Sequence, residues 1–185
     1  MYSLHTHAVR HGSLLIAATL LSLWVERASS ASGLLLYAIA LTVAAVAGVT
    51  FSTLIHEWFH LAGARIAGAH HSIPEKFGLF VFEYDFENNS LPQFNIMSWA
   101  GQAGSWLTVS ALALLVDTSN PVQAMIVCGA LASAVFGAAI EWPVLRRSQA
   151  SGDPLAELSK IDLTVLLRSF ALALTAGAVC WLMLV

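Results

Sequence analysis

GLLLYAIALTVAAVAGVTFSTLIHEWFH, residues 33–60, decides how this chain folds. Residues 33–55 carry no charge, and about 20 apolar residues suffice for a helix to cross the hydrocarbon of a bilayer. The run leads without a break into His56, Glu57 and His60, so a membrane helix carries three groups that titrate or bind metal. Such groups are costly in lipid and mark function there. Positions i and i+4 of a helix share one face, so the imidazoles of His56 and His60 stand one turn apart and both reach one metal ion, with Zn2+ the expected cofactor. Glu57 then stands beside the ion, where a carboxylate takes a proton from bound water. A random H-E-x-x-H in a chain of this composition is expected at about the 1 per cent level.

The rest of the composition agrees with a membrane setting. Of 185 residues, 58% are hydrophobic and 10% charged, against about 25% charged in a soluble domain. A single polytopic domain over residues 1–185, built from helices in lipid, is the expectation. The net charge is −3 and no basic run occurs, which excludes nucleic acid as a partner. Cys128 and Cys180 lack C-x-x-C spacing and read as packing residues. His5, His7 and His11 read as a solvated terminus, the alternative being a metal-loading arm.

Charge, proline and polar clusters divide the chain into about five transmembrane helices, at about 12–25, 33–67, 97–116, 122–140 and 163–185. The first is read as a retained span. The second, at about 50 Å, exceeds the hydrocarbon thickness and puts His56 near one membrane face. With five spans, Arg10, Arg65, Lys76, Arg146, Arg147, Lys160 and Arg168 gather at one side and Arg27 at the other. That bias places the N-terminus and the motif toward the cytoplasm.

A short β-hairpin or strand is expected at that face, within residues 77–90. Phe80, Phe82, Tyr84 and Phe86 share one side at period two, with Val81, Glu83 and Asp85 on the other. The strand is either a surface hairpin held by aromatic residues or, through Phe80, Phe82 and Tyr84, a clamp that pairs with an extended substrate.

Two histidines need a third ligand, since catalytic zinc takes three protein ligands and a water. Ile66 stands six residues after His60, which excludes the arrangement with a third histidine there. Asp153, on the same expected side as His56, is the leading candidate. Asp before Pro154 is also a common helix cap, and the two roles are compatible. His70, His71, Glu75, Glu83 and Glu141 are the other candidates.

Over roughly residues 49–158 the sequence resembles the site-2 protease family of intramembrane zinc metalloproteases. The resemblance rests on His56-Glu57-x-x-His60, on Ala100-Gly101-Gln102-Ala103-Gly104-Ser105, similar to the family's A-G-P-x-x-N, and on Ser151-Gly152-Asp153. It implies His56, His60 and Asp153 as zinc ligands and Glu57 as the catalytic base. Three positions depart from the pattern. Pro154 replaces a Gly, Gln102 replaces a Pro, and Glu141 with Pro143 stands where many members have an Asn preceding a Pro.

The expected function is therefore an intramembrane zinc endopeptidase of a prokaryotic cell membrane, acting on membrane-associated protein substrates and open to a regulatory partner. The alternative is a catalytically inactive metal-binding pseudoprotease serving as scaffold or sensor. A transporter is disfavoured because the first, third and fifth spans hold almost no charge besides Arg168.

Overall fold

Helix α2, Leu34–Ile66, is the axis of the molecule. In the computed structural model, which describes residues 4–29, 33–74, 78 and 80–185, α1 (Leu4–Ser29), α3 (Leu91–Leu115) and α4 (Pro121–Ser151) all pack on α2. After the short α5 (Pro154–Leu158), α6 (Leu163–Leu184) packs on α4. The protein is a helical membrane protein. Helices α1, α2, α4 and α6 are long and apolar enough to cross a bilayer, and large apolar side chains such as Leu34, Leu114 and Leu182 face outward. Five spans were expected, but α3 does not reach the same apolarity. Gln93, Asn95, Ser98, Gln102 and Ser105 dilute it, and of these Ser98, Gln102 and Ser105 are buried.

Local chemistry fixes the ends. Beyond α2, Gly68 takes φ +65°, its N–H donates to the Arg65 carbonyl, and the Ala69 N–H donates to the Ala64 carbonyl. This paired closure needs a left-handed residue that glycine supplies without strain. Gln93 then ties α3 to that end: its Oε1 accepts from the Ser90 N–H at 2.8 Å, and its Nε2 donates to the Gly68 carbonyl at 3.1 Å. Asn120 caps α4, accepting from the Val122 N–H at 2.9 Å ahead of Pro121 at the first helical position.

Helix α4 is longer than the expected span at 122–140. It continues through Pro143 to Ser151 and stops where Gly152 takes φ +76°. Charged side chains do not end a helix, and the one backbone bond that Pro143 removes is outweighed by packing on both sides. Glu141, Arg146 and Arg147 are thus helical residues.

Helices α2 and α4 approach closely through small residues. A Cβ at Gly48 would meet the Ile126 carbonyl, and one at Gly129 the Ala45 carbonyl. Gly129→Val is therefore expected to cost at least about 1–3 kcal/mol through overpacking, read as a lower unfolding temperature in detergent.

The sheet is smaller than anticipated. β1 (His71–Ser72) pairs antiparallel with β2 (Glu83–Tyr84), His71 opposite Tyr84. Of the expected strand, Phe77 and Leu79 lie outside the described residues, as do Glu75 and Lys76. The period-two face does not hold at its start, because Phe80 is exposed while the adjacent Val81 and Phe82 are both buried. Neighbours in an extended strand point to opposite sides, so the chain bends there. Phe82 joins Leu61, Ala64, Phe94, Met97, Val144 and Leu145 in a core at the end of α2, and Tyr84 and Phe86 pack against it. Burial pushes the Tyr84 hydroxyl up to about 12, with the Asp85 charge adding to it.

The N-terminal histidines are not a solvated arm. His7 and His11 are buried on α1, and the Trp58 Nε1–H donates to His11 Nδ1 at 3.1 Å. Only His5 of the three is exposed.

Candidate metal centre

α2 presents His56 and His60 on one face as the i, i+4 spacing requires, with ring centroids 4.3 Å apart. Their Nε2 atoms lie 2.8 Å from each other. The carboxylate that meets them comes from α4: Glu141 Oε1 is 2.8 Å from His56 Nε2 and 3.5 Å from His60 Nε2. The nearest ligating atoms of His56, Glu57 and His60 also lie within 4.8 Å of one another, so Glu57 borders the same point.

Asp153, expected as the third ligand, is occupied elsewhere. Its carboxylate accepts from the Ala156 N–H at 3.0 Å as the cap of α5, on an exposed turn. The structure shows Asp153 in the cap, while α4 runs on to Ser151 and brings Glu141 to the histidines. Among the other candidates, His71 Nδ1 bonds the Ala69 carbonyl at 2.9 Å and Glu83 accepts from the Ser72 hydroxyl. The clamp residues divide: Phe82 and Tyr84 serve the core at the end of α2, and Phe80 is exposed.

Each donor is oriented by a second contact. The His60 Nδ1–H donates to the Met97 carbonyl at 2.9 Å, so its Nε2 lone pair points at the cluster. His56 Nδ1 lies 3.0 Å from the Ser105 hydroxyl, which can donate or accept and therefore permits a lone pair at His56 Nε2. Gln102, 2% exposed, donates its Nε2–H to Glu141 Oε2 at 2.8 Å and leaves Oε1 toward the cluster. The Gln102 Oε1 is buried and has no hydrogen-bond partner among the described residues.

The donor set fits a zinc ion. Bonds of 2.0–2.1 Å at tetrahedral angles separate ligand atoms by about 3.3 Å, and the three separations of 2.8, 2.8 and 3.5 Å need only slight opening. Two imidazoles and one carboxylate with a fourth position free is also the composition of catalytic zinc sites. Alongside lies a cavity of about 130 Å³ lined by His60, Ser98 and Glu141 and by apolar side chains including Phe94, Met97 and Leu158.

The glycines of 100–105 make room for the motif. A Cβ at Gly101 would overlap the His60 imidazole, and one at Gly104 would press on Phe59. We expect Gly101→Ala to turn His60 away from Glu141 and weaken zinc binding by roughly 10–100-fold, as loss of an orienting contact does. Competition with a chromophoric chelator measures it.

In the sequence Glu141 stands among the other ligand candidates, and the orienting contacts of Gln102, Ser105 and the Met97 carbonyl are not readable from it. The usable signal was a carboxylate inside an apolar helix with no basic residue a turn before it. Comparison of the chain with protein-family models, curated proteins and solved structures finds no match.

Proposed function

We propose that this chain is a membrane-embedded zinc endopeptidase whose ligands are His56, His60 and Glu141 and whose general base is Glu57. The observation that carries the reading is the convergence of two Nε2 atoms and one carboxylate oxygen within 3.5 Å, with a second carboxylate beside them. Bound there, zinc supplies the Lewis acidity that polarises a peptide carbonyl and makes water a nucleophile near neutral pH.

The residues provide the rest. The Met97 carbonyl and Ser105 hydroxyl fix the two rings, and Gln102 holds the far oxygen of Glu141, so the ligand carboxylate is kept from turning toward the reacting water. Glu57, free of the hydrogen bonds that hold Glu141, takes the water's proton on its carboxylate and passes it to the leaving amine. The apolar lining of the adjoining cavity excludes bulk water and strengthens these charge interactions. A membrane substrate must unwind locally to expose a carbonyl, because its amides are hydrogen-bonded within its own helix. The bias of basic residues, counted over five spans, supports a site and an N-terminus facing the cytoplasm.

The size of the cavity favours a second reading. About 130 Å³ holds a few waters and no extended peptide, which suits a scaffold or sensor that holds the metal without turnover. Metal removal separates the two. For the protease, purified protein carries stoichiometric zinc, cleaves a quenched peptide drawn from a membrane span, loses cleavage to a chelator and regains it with added zinc. Cleavage that persists after the metal is gone would overturn the proposal.

A further inference from the structure

On the side of α4 away from the histidines lies an open groove of about 960 Å³ between α3, α4 and α6. Its walls are apolar, formed by Trp106, Val135, Ala139, Trp142 and Leu172, and one end is closed by Arg146 and Arg147. Arg168 stands one turn before Leu172, in the first two turns of α6, the helix that follows α4 and the short α5. Arg147 is engaged by Glu157, whose Oε2 accepts from its Nε at 2.9 Å, while the other carboxylate oxygen accepts from Lys160. Arg146 has no ion pair among the described residues and is exposed.

We infer that this groove is a binding site for one anionic phospholipid. The arginines at its end hold the phosphate, and an acyl chain lies along the apolar walls. Charge complementarity selects the headgroup, since an arginine fork matches phosphate oxygens bidentately. Length selects a lipid over a transmembrane peptide. From Val135 to Arg146 α4 rises about 16 Å, close to the roughly 15 Å depth of a single leaflet, whereas a spanning helix needs about twice that. The tryptophans add flat apolar surface, and Trp142 packs against Trp99 with centroids 6.4 Å apart.

The site borders the candidate metal centre through α4 itself. Trp142 and Pro143 line the groove next to Glu141, so a lipid seated there braces the segment in which Pro143 has removed a backbone bond.

Native mass spectrometry tests this. The protein is reconstituted into liposomes of phosphatidylcholine and phosphatidylglycerol, extracted in mild detergent and weighed with its retained lipid. We expect phosphatidylglycerol to be kept in preference, and the Arg146→Gln, Arg168→Gln double variant to keep roughly 25-fold less, about fivefold per arginine. Ala139→Trp fills the groove and leaves the arginines in place; it should lose the lipid as well. Equal retention of the two lipids, or wild-type retention by the arginine variant, overturns the proposal. So does wild-type retention by Ala139→Trp, which would mean a headgroup held at an open surface. Capture of a neutral transmembrane peptide in place of lipid by a photocrosslinker at position 139 would also overturn it. Should Ala139→Trp fail to fold, the arginine variant decides alone.

Discussion

Glu141→Gln is expected to lower zinc affinity by more than about 100-fold, while Asp153→Asn leaves it unchanged. Loss of an outer contact to a ligand already costs about 10–100-fold, and loss of the ligand's charge costs more, because two neutral imidazoles then hold the ion alone. Glutamine keeps the size of the side chain and can still bond Gln102, so the helix packing of α4 against α3 survives. The Asp153 variant has a different consequence. Its side chain caps α5 by accepting from the Ala156 N–H, and an asparagine caps a helix about as well, so neither metal nor fold should respond. Titration of both variants against a chelator of known affinity distinguishes the two carboxylates. Zinc lost from Asp153→Asn and retained by Glu141→Gln would return the third ligand to the loop after α4 and remove the assignment made from the structure.

The apolar helices and the i, i+4 pair were legible in the sequence because both follow from local periodicity. A run of 23 uncharged residues is helical in lipid whatever surrounds it, and His56 and His60 share a face on any helix. The third ligand was not legible, because its place depends on where α4 ends. Span limits were drawn at the first charge, Glu141, which moved the arginines and Asp153 into a loop together. The helix instead continues past Glu141 and Pro143 to the left-handed Gly152. A carboxylate in an apolar helix with no basic residue three or four positions away on that helix was the sign that its partner lay on another helix. The aromatic strand misled for a related reason. Alternation from Phe80 to Phe86 describes a half-buried strand facing one core, but Val81 and Phe82 are both enclosed where the hairpin turns into the end of α2. The histidines of α1 show the same limit: His11 is buried through Trp58, a tertiary contact between residues 47 apart.

Glu57→Gln is expected to lower kcat/KM on a span-derived peptide by about 10²–10⁴-fold, the usual contribution of a positioned general base, with zinc content unchanged. Glutamine matches the shape of glutamate but cannot take a proton, so the change removes the transfer and little else. Retention of zinc follows from the proposed ligand set: His56 Nε2, His60 Nε2 and Glu141 Oε1 converge at 2.8 to 3.5 Å, while the Glu57 carboxylate, within 4.8 Å of the two imidazoles, is assigned to the water. Gln102 makes the same distinction from the other side, since it bonds Glu141 and not Glu57. On the proposed reading one carboxylate is held still, as a ligand must be, and the other is left able to move a proton. A fall in zinc content together with activity would make Glu57 a ligand and exchange the two roles. Unchanged cleavage would remove Glu57 from the chemistry. Zinc bound at full occupancy with no cleavage by wild type or variant, across a panel of span peptides, would leave the metal-holding scaffold as the function of the site.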